Sequence, residues 1–106
     1  MKRGTVLWVD LSDAQPPEMD KVRPAVVLSH AILNARLGTV VVVPLSAQSG
    51  EIWPLRVKVA AGRKASFAVI PGIRQVAKTR LQNASSTLGA ADLQKIERAV
   101  AEYLSD

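Results

Sequence analysis

Val22-Arg23-Pro24-Ala25-Val26-Val27-Leu28 sets an arginine, locked by the proline behind it, at the mouth of an apolar run. Such a run of bulky residues, with no polar alternation, reads as a strand buried on both sides. A second run, Thr39-Val40-Val41-Val42-Val43-Pro44-Leu45, has the same character and ends in Ser46-Ala47-Gln48-Ser49. Two buried strands thus deliver a permanent cation and a cluster of hydroxyls and an amide to loop ends. Guanidinium is a planar fork of donors that matches phosphate oxygens two at a time, so Arg23 and Ser46 suit a phosphodiester. The same residues are equally compatible with a surface ion pair from Arg23 to Glu18 or Asp20, and with a turn opened by Ser46. Spacing alone does not bring the two strand ends together; a fold must do that.

Outward from these runs, Thr5 to Asp10 is β-branched and aromatic and reads as a strand. Ser12 to Val22, with Pro16 and Pro17, has no periodicity and reads as a loop long enough to be suspected of function. His30 to Leu37 makes a helical turn stopped by Gly38. Trp53 to Val59 alternates, with Leu55, Val57 and Val59 opposed by Arg56 and Lys58, which predicts a half-exposed strand with a basic outer face. A basic turn, Ala60 to Lys64, leads to a strand over Ser66–Ile70, broken by Pro71-Gly72. Ile73 to Arg80 resumes as a strand carrying Arg74, Lys78 and Arg80. The period then changes: Leu93, Ile96, Ala99, Val100, Tyr103 and Leu104 mark one face of a helix, with Asp92 in the first turn, where the helix dipole favours an acid. Short strands followed by a terminal helix predict a mainly β domain spanning 1–106, a small closed or half-closed β-barrel with a packed C-terminal α-helix.

Composition narrows the chemistry. The chain has 106 residues, 48% apolar, and a net charge of +5, which favours a polyanion as partner. It has no cysteine and a single histidine, His30. Disulfides, thiolate catalysis, Cys-ligated zinc and a His–His ribonuclease pair within one subunit are therefore excluded. No apolar run approaches the roughly 18 residues needed to span a bilayer, and Met1-Lys2-Arg3-Gly4 leads directly into the first strand without an export signal. The expectation is a cytoplasmic protein that does not engage a membrane and uses neither metal nor cofactor.

In order along the chain, the carriers of a wider likeness are Arg3-Gly4, Asp10-Leu11-Ser12, Glu18 leading to Arg23-Pro24, and Val43-Pro44-Leu45-Ser46. Ile73-Arg74-Gln75-Val76, Lys78-Thr79-Arg80-Leu81 and the terminal helix follow. This series resembles the MazF/PemK family of toxin ribonucleases from toxin–antitoxin pairs, over nearly the whole chain. The resemblance implies an SH3-like barrel with a C-terminal helix, a homodimer, and metal-independent, sequence-specific cleavage of single-stranded RNA. It also implies a cognate antitoxin, whose acidic, disordered segment covers the basic groove. Arg23 matches the family's catalytic arginine before proline, and Ser46 its catalytic Thr or Ser. The chain departs from the family in its loop, where Pro16, Pro17, Asp20 and Lys21 stand in place of glycines around Glu18. Pro71 and Ala77 occupy positions that are often acidic, and Val69 one that is often Arg.

Other residues have two readings each. His30 suits a proton shuttle, since the histidine side chain ordinarily changes charge near neutral pH, but its place at a strand-to-helix junction equally suits a cap. Glu18 either orients Arg23 or accepts a proton, or is simply hydrated. Gln48 is positioned to donate to a phosphate or read a base edge. Trp8 and Trp53 are candidate stacking surfaces for bases, Trp8 reading rather as packing and Trp53 as a contact to RNA or antitoxin. Arg56, Lys58, Arg63 and Lys64 make either a phosphate-steering rim or a solvated face, and Arg74 falls in the family's substrate-side strand. Two rivals remain from sequence: a non-enzymatic toxin on the same barrel, like the gyrase-poisoning CcdB family, and a barrel that binds RNA without cutting it.

Overall fold

Both apolar runs sit at the centre of one curled antiparallel sheet. The protein is described by a computed structural model covering residues 1–48 and 50–106. In chain order the elements are β1 (Thr5–Asp10), β2 (Val22–Val27), α1 (Ala31–Arg36), β3 (Thr39–Ser46), β4 (Arg56–Ala61), β5 (Lys64–Val69), β6 (Arg74–Ala77), β7 (Leu81–Thr87) and α2 (Ala90–Leu104). Short 3-10 turns at Ile70–Gly72 and Lys78–Arg80 flank β6. The strand order is β4-β5-β3-β2-β1-β7, with β6 also paired to β3. β3 is long enough to share one edge between two partners: Thr39 to Val42 pair with β6, and Leu45 and Ser46 with β5. The result is a half-barrel with a C-terminal helix, as the sequence predicts.

Continuous apolar runs are required because both faces of the central strands are buried. One face, with Val26, Val43, Leu45 and Val57, packs under Ile96 and Ala99 of α2. The opposite face, with Val9, Ala25, Val27, Val40 and Val42, packs against Val76. Where the sheet folds over, Gly72 meets β3 closely: a Cβ added there would lie 2.6 Å from Pro44 Cγ. No larger residue fits without moving the Pro44 ring.

The far end of the β2–β3 pair is closed by its own hydrogen bonds. Asn34, only 1% exposed, donates through Nδ2 to Met1 O (3.1 Å) and Ser29 O (2.8 Å) and bonds the Ser29 hydroxyl, which accepts from Val41 N–H (3.0 Å). On the outer edge of β4, Lys58 N–H donates to Glu51 (2.9 Å) and Ala60 N–H to Asp92 (2.8 Å), while Lys95 Nζ donates to Lys58 O (2.7 Å). These charged caps block the open backbone against further strand pairing. Asp92 thus serves the sheet edge as well as its own helix.

Several sequence expectations shift. The strand expected from Trp53 begins at Arg56, because Ile52 and Arg56 exchange backbone hydrogen bonds (3.0 and 2.7 Å) and close a tight turn over Trp53-Pro54-Leu55. Leu55 is consequently exposed. The strand expected to run to Arg80 ends at Ala77, and β7 follows as a separate, largely exposed strand. Trp8, read as packing, is 43% exposed. At the end of α2, Tyr103 and Leu104 stay exposed, leaving Ile96 and Ala99 as the buried centre of the helix face.

Candidate functional site

Arg23 opens β2 and Ser46 closes β3, and antiparallel pairing sets a strand start beside a strand end. Ala25 faces Pro44 and Val26 faces Val43; the same register carried two residues further sets Arg23 opposite Ser46. Both side chains line one groove of about 550 Å³, together with Trp8, the turn residues Gly62 and Arg63, and Lys64, Ser66 and Ser85. The β4–β5 hairpin reaches the groove through a two-residue turn whose Gly62 has a φ of 65°. That left-handed backbone favours glycine in tight hairpins. The fold therefore supplies the convergence that spacing leaves open.

The ion-pair reading also holds in part. Arg23 Nε donates to the Asp20 carbonyl (2.6 Å), and its NH2 lies 3.7 Å from the Asp20 carboxylate. This anchors the guanidinium at one side, while the group still lines the groove. The loop that carries Asp20 is held at its base by Leu11 N–H donating to Lys21 O (2.7 Å). Lys21 adopts a φ of 68°, left-handed backbone that glycine takes without steric cost. Asp13 ties the same loop to the sheet through ion pairs with Arg80 and with Arg74 (3.4 Å). The Arg80 hydrogen bond, aided by Arg74, holds the Asp13 carboxyl below its usual range. Hydrogen bonds from Ser12 do the same for Asp10.

The other sequence candidates lie elsewhere. Gln48 is exposed just beyond the groove, its backbone N–H on Ser46 Oγ (3.3 Å); Ser49 falls outside the described residues. Glu18 is exposed and accepts from Gln15 N–H (3.0 Å). It lines a different, 170 Å³ pocket shared with Arg74 and Pro71. Arg74, the expected substrate contact, is paired with Asp13. His30 caps α1, accepting from Ile32 N–H at Nδ1 (3.1 Å), beyond the end of β2 opposite Arg23. Its capping reading holds, and the structure does not bring it to the Arg23–Ser46 pair. Trp53 sits on its own exposed turn, and Arg56 is half-buried at the start of β4. Lys58 lines a shallow cleft with Lys95, joined to the main groove through Arg63 and Lys64, which line both. Among the described residues, no group of three or more His, Cys, Asp or Glu is placed to hold a metal ion. No helix among them is long and apolar enough to cross a membrane.

Sequence reasoning misplaced Trp8 and gave no place to Ser66 and Ser85. Val6 and Trp8 share a face of β1, and Val6 lies in the core beneath α2. Its apolar neighbours made Trp8 read as packing, although the cover over this face ends before it.

Residues 2–104 match the family model for the PemK-like, MazF-like toxin of type II toxin–antitoxin systems. Endoribonuclease MazF9 of Mycobacterium tuberculosis is 33% identical, with 98% of this chain and 96% of that protein covered. The endoribonuclease toxin MazF of Escherichia coli is 28% identical, over 92% of this chain and 87% of that one. Among solved structures, MazF of Deinococcus radiodurans superimposes with a TM-score of 0.86 at 20% identity, covering 98% and 96% of the two chains. A mycobacterial endoribonuclease in complex with its cognate antitoxin gives 0.81 at 23% identity, covering 98% and 94%. An arginine and a serine brought together from two central strands, on a half-barrel with a terminal helix, thus occur in a chain that belongs to the PemK-like, MazF-like family of type II toxin–antitoxin toxins.

Proposed function

We propose that this toxin is an endoribonuclease that cuts single-stranded RNA in the Arg23–Ser46 groove, using the substrate's own 2′-hydroxyl as nucleophile. The observation that carries the reading is the shared groove: a permanent cation and a hydroxyl from opposite strand ends, rimmed by Arg63 and Lys64. The chain has no cysteine to supply a thiolate nucleophile, whereas RNA carries a hydroxyl beside each phosphate.

In the proposed step the 2′-oxygen bonds to phosphorus as the bond from phosphorus to the 5′-oxygen breaks. The 2′-hydroxyl proton passes to a base, and the departing 5′-oxygen takes one up. Arg23 neutralises charge building on the phosphoryl oxygens, a preorganised electrostatic role. Its anchorage on the Asp20 carbonyl fixes the fork before substrate arrives. Ser46 holds a phosphate oxygen or the 2′-hydroxyl, and Gln48 lies close enough along the chain to add a donor. Arginine remains protonated and does not serve as the base. Of the candidates Glu18, His30 and water, this reading takes water entering the open groove, since Glu18 lines a different pocket and His30 caps α1. The products are a 2′,3′-cyclic phosphate and a 5′-hydroxyl.

The working unit in this reading is a cytoplasmic homodimer, neutralised by an antitoxin with an acidic, disordered segment. Exposed Ile32, Leu33 and Leu37 around α1 support self-association, and sedimentation showing only monomer at tens of micromolar counts against it. The test of the activity is incubation of purified protein with unstructured RNA in chelator, followed by end-group analysis. Cyclic phosphate ends support the reading; binding without new ends transfers it to a non-cleaving toxin.

A further inference from the structure

We propose that Trp8 is the stacking platform for an unpaired nucleobase, held beside the phosphate that Arg23 contacts. The inference rests on the RNA-cutting reading above and adds to it a base-binding subsite. Exposure alone proves little, because single exposed apolar residues are ordinary on protein surfaces. Place decides. Trp8, 43% exposed, and Trp53, 52% exposed, are the chain's only tryptophans. Trp53 stands on a turn outside the groove, whereas Trp8 lines it with Arg23, Ser46, Arg63 and Lys64. A π face among cations and hydroxyls is the combination that holds single-stranded nucleic acid, the cations taking phosphates and the ring a base.

The strand is irregular around this residue on both sides. Towards β2, Trp8 is opposite Pro24, which has no N–H to donate. Towards β7, the register passes from Leu7↔Ala84 to Val9↔Leu81, so β7 carries an extra residue opposite Trp8, next to a second shift between Val6 and Leu7. Bulges of this kind re-aim side chains near functional sites. The bulged strand also supplies Ser85, whose hydroxyl donates to Val6 O (3.4 Å) and borders the groove. The ladder is thus broken beside the exposed indole on both sides, and Pro24, its cross-strand neighbour, is the residue that locks Arg23. Base and phosphate recognition then meet across the β1–β2 pair, at Trp8↔Pro24 and its neighbour Arg23: a base on Trp8 sets its phosphate at Arg23.

The test is equilibrium binding with an RNA that cannot be cut, made by 2′-O-methylation throughout, so that stacking is read apart from catalysis. In the Trp53→Phe protein, Trp8 is the sole tryptophan and its fluorescence reports directly. Quenching by the methylated oligomer is expected, with an abasic oligomer of equal length and charge binding about tenfold more weakly. Trp8→Ala should lose about the same factor, read by anisotropy of a labelled oligomer, and Trp8→Phe should recover most of it. The inference is overturned if normal and abasic oligomers bind and quench alike. It is also overturned if Trp8 in the free protein is already shielded from acrylamide, as a second copy covering it would cause. Base-dependent quenching without cleavage of ordinary RNA keeps the subsite and removes the nuclease; cleavage with an unresponsive Trp8 does the reverse.

Discussion

The two ends of the β2–β3 pair are made of the same residue classes and are finished in opposite ways. At the α1 end, Ser29 and Asn34 turn their polar atoms on each other and on backbone at Met1 and Val41. His30 likewise spends Nδ1 on a helix cap. At the other end Arg23, Ser46 and Trp8 line an open groove. A buried polar group left without a partner costs stability, so the first end is built for folding. The second ties its guanidinium to Asp20 and its serine hydroxyl to Gln48 N–H, yet both side chains still line the groove, where a ligand can reach them. Polar side chains at a strand end are informative about function only after their internal partners have been counted.

Arg23→Ala should separate the ends most sharply. Removing one preorganised charge of this kind costs about 10²–10³-fold in rate, and the melting temperature should hardly move, since among the described residues the partner it leaves is Asp20. Ser46→Ala is expected to lose activity by about tenfold or more, a neutral donor being weaker than a charged one. Asn34→Ala should do the converse, lowering stability by about 2 kcal/mol through the partners it strands, with cleavage intact below the new melting point. Equal activity losses in the Arg23 and Asn34 variants would erase the distinction.

Gly72→Ala tests the fold beneath the groove. It should cost about 1–3 kcal/mol by overpacking against Pro44, with the groove residues in place. Reversing Arg63 or Lys64 should flatten the salt dependence of RNA binding by about 0.7 in log–log slope for each phosphate no longer neutralised. Arg98, on the exposed face of α2, should leave that slope unchanged. Asp13→Asn is the mildest change. Asp13 has a lowered carboxyl pKa in the folded state, so its stabilisation is present above the unfolded value of about 3.9 and is lost as pH falls through the lower folded one. Melting curves of variant and parent should therefore differ slightly at neutral pH and converge in acid.

Much of the architecture was legible because burial on both faces writes itself as uninterrupted apolar runs, and Gly38 and Pro71-Gly72 punctuate them. The convergence of Arg23 and Ser46 was not legible from spacing: it needs the antiparallel register of β2 and β3, which sets a strand start beside a strand end. β7 was not legible: Leu81-Gln82-Asn83-Ala84-Ser85-Ser86-Thr87 has no apolar alternation and is ordered by pairing with β1. Trp8 was misread because apolar neighbours in the chain report that a strand is buried, not how far the cover over each face extends. Arg74 has the expected residue type, but Asp13, sixty-one residues away, takes its charge, a partnership no local pattern announces.

The most direct measurement uses matched RNA oligomers that differ at one atom, the 2′-oxygen at the cut site, incubated with the protein in chelator. The hydroxyl-bearing strand should be cut to a 2′,3′-cyclic phosphate and a 5′-hydroxyl, and its 2′-deoxy counterpart should bind and remain whole. Cleavage of the deoxy strand at a comparable rate would contradict attack by the substrate's own hydroxyl in the Arg23–Ser46 groove.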